Sequence, residues 1–365
     1  MRDECKVLQE RGIDLLWFDS MGAKSSSIIV GTVLVDPGAA AMQPSYPLPD
    51  TAKRALRRRA ATRITEALGR AGAVVITHYH YDHHFRLHDP DWTGAAQAIL
   101  ETELIVAKNP NLFINESQWK RARQFIADLL GLVGMELDSV LEEPKSLQLA
   151  NPDEGLSEAL SKGFGDYTKR RLELLDRGRR WFEKLAKELW LQRPWVKEVV
   201  KVGKTTLTFR DYGEFSKGGV RVRLLGPHFH GVEYDRTGWV VPLLIETRGI
   251  RLLYTSDLMG PIIEDYALEI LREKPHVLVC DGPPTYLYPY MLNRINLQRA
   301  IENLTYVLEN AESLQLVVYD HHLLRDRQWR KRVSPVFDAA RRVGVPLLTA
   351  SECLGMEPLI DKVSQ

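Results

Sequence analysis

Four side chains of metal-ligand type stand within six residues, directly after a short apolar run, and this constrains the chain more than anything else in it. The segment is Thr77-His78-Tyr79-His80-Tyr81-Asp82-His83-His84, and it follows Ala73-Val74-Val75-Ile76. A buried strand is expected over 73–77. On a strand, residues two apart face the same side, so His78 and His80 point together at one cation. A turn directly afterwards aims Asp82 and His83 at a second position beside the first. Imidazole nitrogen and carboxylate oxygen suit zinc and its neighbours. A solvated or core-satisfied histidine cluster explains one or two of these groups, but not all four at the end of one buried strand.

The rest of the chain reads as strands with helices between them. Residues 13–19 and 26–36 are apolar and β-branched, and Pro37-Gly38 closes the second run. A helix is expected over 51–72, a strand over 104–106, and a helix from Asn115 or Ser117 to about Leu130. Residues 132–197 read as mainly helical and charged. Within them Leu160, Leu172, Leu174, Leu175, Phe182, Leu185 and Leu189 recur at helical spacing, and Gly163 and Gly165 mark a break. Strands return at 205–209, 220–225, 239–246 and 250–255, expected as one meander with a turn at Arg248-Gly249. Strands at 276–280 and 314–319 then alternate with helices near 293–310 and 326–343. The pattern suggests two sheets covered by helices.

Composition excludes little. Forty-nine basic and 48 acidic side chains leave a net charge of +1, so global charge signals neither a nucleic-acid nor a membrane partner. Three cysteines, Cys5, Cys280 and Cys353, show no CxxC spacing. A disulfide framework and a cysteine zinc site are therefore not expected, and a reducing cytoplasm is. No apolar stretch has membrane-span length, and the N-terminus carries no signal-like run. The oligomeric state is not legible.

The run from His78 to His83 matches the HxHxDH signature and resembles the metallo-β-lactamase superfamily. Val35-Asp36-Pro37-Gly38 resembles its early strand-ending aspartate, which supports the metal histidines. Pro227-His228-Phe229-His230-Gly231 resembles the third-histidine motif, with His230 the better match and His228 its rival. Thr255-Ser256-Asp257 resembles the motif of the metal-bridging aspartate. Asp320-His321-His322-Leu323-Leu324-Arg325 resembles the last histidine motif; an arginine four residues on favours His321 over His322. More narrowly, the chain resembles a family of largely archaeal predicted metal-dependent hydrolases. The shared stretches are 77–84, 256–261, 282–287 and 320–326, with Asp19-Ser20-Met21-Gly22 as an opening motif.

The resemblance implies an α/β fold, a four-layer αββα sandwich forming one domain over 1–365, with a helical insertion at about 132–200. It places His78, His80 and His230 on one metal and Asp82, His83 and His321 on the other, with Asp257 between. Two divalent ions are implied, zinc by default, with manganese or iron also suited. A metal-bridged hydroxide would attack carbonyl or phosphorus. Asp257, Asp82 and His322 are the expected catalytic groups. His84 and His322 could donate a proton or a hydrogen bond, and Arg325 could pair with an anion; packing and a structural salt bridge are the plainer alternatives. The oxygen-reducing di-iron branch usually carries glutamate where this chain has His80, which favours hydrolysis. The expected reaction is phosphodiester or nucleic-acid hydrolysis. The alternatives are a small ester, thioester or lactone hydrolase, and a non-catalytic metal- or ligand-binding protein. Arginine clusters at 54–63, 169–180 and 325–332 read as solvated helix faces rather than a phosphate-tracking surface.

Overall fold

The computed structural model describes residues 2–363. Two seven-stranded sheets carry the fold. The first runs in spatial order Ile13–Phe18, Ser26–Val30, Val33–Val35, Ala73–Ile76, Leu104–Ala107, Thr205–Phe209 and Val199–Val202. The second runs Tyr212–Lys217, Val220–Leu225, Leu243–Thr247, Ile250–Tyr254, Val277–Asp281, Leu316–Asp320 and Leu347–Leu348. In each, antiparallel hairpins lead into parallel central strands.

The alternation of the strands builds the layers. Along Ala73–Ile76, Ala73 and Val75 join the core between the sheets, while Val74 and Ile76 join the core under the outer helices. The second sheet does the same: Val277 and Val279 face inward, and Leu278 and Cys280 face the helices Arg294–Asn310 and Ser334–Val343. Both faces of the central strands are thus buried, which is why they read as unbroken apolar runs. The result is a four-layer αββα sandwich with a helical insertion.

Several expectations are corrected. Residues 205–209 do not begin the meander; they lie in the first sheet, parallel to Leu104–Ala107. The meander starts instead at Tyr212–Lys217, a largely exposed edge strand whose polar sequence hid it. The 239–246 run is split at Pro242, which cannot donate to a ladder, into Trp239–Val240 and Leu243–Thr247. The 132–200 segment holds the helices Ser157–Ser161 and Tyr167–Leu185, but also a small ribbon of Leu141–Glu142 with Trp195–Val196. Two of the three cysteines are paired. Cys5 and Cys353, 348 residues apart in sequence, form a disulfide with Cα atoms 5.4 Å apart. Arg2 N–H donates to Cys353 O alongside it (3.0 Å). No spacing rule reveals such a pair, because chain folding alone brings the two ends together. No helix among the described residues is long and apolar enough to cross a membrane.

Candidate metal centre

The central strands of both sheets end at one edge of the sandwich, and the ligand-type side chains sit in the loops just beyond. Asp36 follows Val33–Val35, the histidine run follows Ala73–Ile76, and Ser256-Asp257 follow Ile250–Tyr254. Val277–Asp281 and Leu316–Asp320 end in their own aspartates, the latter followed by His321-His322. Carboxyl ends of parallel strands are where open α/β sheets place ligands. The backbone there is forced: Asp36, Ser256 and His321 have φ of 48°, 50° and 60°, a left-handed conformation that costs a non-glycine residue energy. Gly38 is pressed so closely that an added Cβ would lie 2.3 Å from His84 N and 2.4 Å from His83 N. Only glycine lets the Asp36 turn pass beneath the histidine loop.

Two groups of donors face each other. His78, His80, His230 and Asp257 bring one ligand atom each within 4.8 Å of one another, and so do Asp82, His83 and His321. Asp257 lies between them. Its Oδ2 is 3.1 Å from His230 Nε2 and 3.4 Å from His78 Nε2; its Oδ1 is 3.1 Å from His83 Nε2 and 3.4 Å from His321 Nε2. All seven residues expected as ligands are therefore brought together. His228 is not among them: its Nε2 pairs with Glu269, and its Nδ1 meets Gly226 O at 3.1 Å.

The donor set fits divalent cations. Ring nitrogens face ring nitrogens, His78 Nε2 to His80 Nδ1 at 3.1 Å and His83 Nε2 to His321 Nε2 at 3.3 Å, so lone pairs converge. Both ring nitrogens of His230 and Asp257 Oδ1 are buried without a hydrogen-bond partner. Buried polar atoms are normally satisfied, so these point at something else. Burial, aided by the charge of His83, lowers the pKa of His78 to about 4, and burial with the charge of His78 holds His80 well below its usual value. Both rings are thus neutral and free to ligate. His83 goes the other way. Burial opposes its protonation, but Asp257 and Asp36 outweigh that and raise it to about 10. The carboxylates around it demand positive charge at that spot.

An outer ring of partners fixes the imidazoles. Asp36 Oδ2 meets His83 Nδ1 (2.8 Å) and accepts from Tyr254 O–H (2.8 Å) and Thr77 O–H (2.6 Å), while Oδ1 accepts from Thr77 N–H (2.8 Å). Asp19 Oδ1 meets His321 Nδ1 (3.0 Å), and Asp19 Oδ2 accepts from Arg325 Nε (2.5 Å). Arg325 Nη2 also reaches Asp82 Oδ2 (3.3 Å), so this buried guanidinium makes the structural bridge rather than standing free for an anion. His322 Nδ1 is held by Asp281 Oδ1 (3.0 Å), and a ligand atom of His322 shares a group with Asp257 and His321. His84 packs edge-on to Phe125 with Nδ1 at His80 O (3.0 Å). That is a packing role.

Three nearby groups had no reading from sequence: the roles of Asp19 and Asp281, and Lys24. Lys24 is half-buried, and burial and the charge of Arg325 lower its pKa while Asp82 and Asp19 act the other way. Next to it, Ser25 O faces His321 Nδ1 at 3.0 Å. A signal for the two aspartates did exist. Residues 13–19, 33–36, 277–281 and 316–320 are each an apolar run that finishes on Asp.

No family model matches the chain. It is similar along nearly its whole length to archaeal UPF0282 proteins. That of Korarchaeum cryptofilum is 29% identical over 349 residues, covering 94% of this chain and 87% of the relative. That of Metallosphaera sedula is 28% identical over 358 residues, covering 95% and 89%. Among solved structures, CmlA, a diiron β-hydroxylase from Streptomyces venezuelae, aligns with a TM-score of 0.39 at 13% identity, covering 90% of this chain and 51% of CmlA. The chain thus spans about half the length of CmlA. Unliganded yeast PDE1 aligns with a TM-score of 0.34 at 10% identity, covering 93% of this chain and 97% of PDE1.

Proposed function

We propose that the chain is a metal-dependent hydrolase with a binuclear centre, and that its substrates are phosphodiesters. The observation that carries this reading is Asp257, which offers one carboxylate oxygen to each donor group. His78, His80 and His230 would hold one cation and Asp82, His83 and His321 the other. Zinc is the default, with manganese or iron also suited. Two such cations supply an activated water at neutral pH and polarise the bond under attack. The chain's own residues do the rest. Asp36 and Asp19 lock His83 and His321 in register. Asp257 keeps the two donor groups at a fixed separation. Asp281 holds His322 at Nδ1 and so fixes the ring beside Asp257 and His321, with Nε2 left for a hydrogen bond to the substrate.

Positive charge at the mouth favours an anionic substrate. Tyr81, between His80 and Asp82, has the guanidinium of Arg121 4.7 Å and that of Arg86 5.2 Å from its ring centre. Beside it opens a cleft of about 300 Å3 lined by Arg54, Arg57, Arg86 and His84, with Asp89 pairing Arg57 and Arg86 on its wall. Lys24 adds a further cation.

The test is turnover and metal content together. The zinc-loaded chain is expected to cleave bis(p-nitrophenyl) phosphate faster than p-nitrophenyl phosphate, a thioester or a lactone. His80→Ala is expected to abolish turnover and lower metal content. Unchanged activity and metal in that variant would sink the assignment. Turnover confined to the thioester or lactone would move the substrate to the carboxylic class. Bound metal with no turnover would favour a binding role.

A further inference from the structure

A large cleft lies on the insertion, outside the candidate metal centre. It measures about 1110 Å3 and sits between the N-terminal turn of the helix Glu116–Gly131, one face of the helix Tyr167–Leu185 and its extension, and the loop at Arg236. Its walls carry five basic side chains, Arg177, Arg180, Lys184, Arg193 and Arg236, against two acidic ones, Glu116 and Glu188; Lys184 pairs with Glu188 and Arg180 with Asp176, which leaves three guanidinium groups. The sequence reading of the 169–180 arginines holds for most of that run. Arg170 pairs with Glu173, Arg171 with Glu233, Arg179 with Asp153 and Arg180 with Asp176. What the sequence does not show is that the remaining Arg177 meets Arg193 and Arg236 from distant parts of the chain. Among the described residues these three make no ion pair. The guanidinium of Arg236 lies 4.6 Å from the centre of the Trp181 ring, and both side chains line the cleft.

The cleft shares a wall with the metal site. Arg236 is near the tip of the hairpin His228–Phe229 with Trp239–Val240, and His230 N–H donates to Gly238 O across its base (3.0 Å). Asn115 Nδ2 donates to Arg236 O (2.7 Å), and Gln118 Nε2 donates to Thr237 O (2.7 Å). Gln118 Oε1 in turn accepts from Tyr79 N–H (3.1 Å), between His78 and His80. A ligand in the cleft therefore rests on the element that positions His230.

We infer that this cleft binds the sugar-phosphate backbone of a single-stranded nucleic acid, a reading that rests on the phosphodiesterase assignment and names its substrate class. Four of the five cations are arginines, whose planar fork matches phosphate oxygens. An open cleft of this size, with three guanidinium groups free of ion pairs and the Trp181 ring on one wall, suits an extended polyanion. A curved cleft also presents its charges poorly to a flat anionic membrane.

Fluorescence anisotropy tests it with the full chain and a 5′-fluorescein-labelled, phosphorothioate-linked deoxythymidine strand of about 12 nucleotides, which resists cleavage. The chain is expected to bind, with affinity falling steeply with salt. Replacing Arg177, Arg193 and Arg236 together by alanine is expected to weaken binding at least tenfold and to reduce the salt slope by about 2, at about 0.7 per phosphate contact on a single strand. Arg170→Ala, outside the cleft, is expected to bind as wild type does. A thermal melt confirms folding of the triple variant, and Arg177→Glu alone is read if that variant is unstable. Unchanged affinity and slope would overturn the inference, as would equal binding of polyglutamate. Turnover of bis(p-nitrophenyl) phosphate without strand binding would overturn the cleft and leave the hydrolase. Strand binding without turnover of any phosphodiester would do the reverse.

Discussion

Replacing Asp36 by asparagine tests the outer ring of the metal centre with a minimal change of volume. The carboxylate is fully buried and takes four contacts: Thr77 N–H on Oδ1, and Thr77 O–H, Tyr254 O–H and His83 Nδ1 on Oδ2. An asparagine amide cannot accept on both sides. It is expected to turn its oxygen toward the three-contact side and its NH2 toward Thr77 N–H, leaving one buried donor facing another. An unsatisfied buried donor costs about 1–3 kcal/mol, and the three surviving bonds each weaken by about 1 kcal/mol when the acceptor loses its charge. The loss is about 5 kcal/mol. With about 2.1 cal/mol/K of unfolding entropy per residue, a chain this long should melt about 6 °C lower. Metal binding should respond unevenly. Asp36 touches His83 directly and reaches the first donor group only through Thr77 Oγ1, which lies 3.2 Å from His78 Nδ1, so the ion at the second donor group should weaken by about 10–100-fold and the first by less. Differential scanning fluorimetry and chelator competition read the two effects separately. A lower melting point with both ions retained at full affinity would refute Asp36 as a positioning residue for His83, whatever it contributes to the fold.

Three further outcomes follow from particular contacts. His230→Ala should lose one of two bound ions, whereas His228→Ala, paired to Glu269 instead, should keep both; equal losses by metal analysis would contradict the choice between them. Burial raises the pKa of Glu233 and Glu264, but Arg299 outweighs it and both end below the usual 4.5. Their contribution is therefore present above pH 4.5 and lost as pH falls through the folded values. Glu233→Gln should cost about 3 kcal/mol at pH 7 by leaving buried Arg299 and Arg171 short of a counter-charge. The gap in melting temperature to wild type should close towards pH 3, and a gap that stays constant would count against the pairing. Unfolded without reductant, the chain should titrate one thiol, Cys280; three would overturn the Cys5–Cys353 bond and return the reading to a reducing compartment.

What the sequence discloses depends on whether a group's meaning is local. The His78–His83 run is local: its ligand-type residues stand together directly after the strand Ala73–Ile76, and the loop that follows that strand brings them to one place, although the strand itself ends before His78. Asp36, Asp257 and His321 could be read because each stands in a short motif at a strand end. The choice between His228 and His230 could not be settled that way. Both alternate correctly with Phe229, and what removes His228 is Glu269, on a helix 41 residues later. Asp281 was passed over, and Asp19 was noted in an opening motif without a role, for a related reason. One aspartate after an apolar run is indistinguishable from a turn, and only four such runs, converging on one edge, make the pattern informative. Arg325 shows the same limit: locally it reads equally as an anion ligand or a structural bridge, and only its contacts with Asp19 and Asp82 decide for the bridge.

The insertion is where local reading fails most, and the reason lies in the architecture. Most of the ligand-type residues sit just past strands of the two large sheets, whose ladders fix their positions. His230 does not. It follows a two-stranded ribbon outside both sheets, and a short ribbon has little stability of its own. Much of its support comes from the insertion, beside Asn115, Gln118 and Tyr266 of the main body. Trp181 stacks on Trp239 at 5.6 Å with the rings 4° from parallel, and Phe182 and Trp190 pack edge-on against the same indole. Arg171 and Arg299 converge on Glu233, three residues after His230. Gly178 lets the helix run so close to Tyr234 that an added Cβ would fall 2.5 Å from its side chain. A segment that looks like an appendage in sequence thus fixes one third of the first imidazole set, and the same packing forms the wall of the basic cleft. Covering the ribbon and shaping the cleft are one structural act, so a change in the insertion should be felt at His230 before it is felt anywhere in the two sheets.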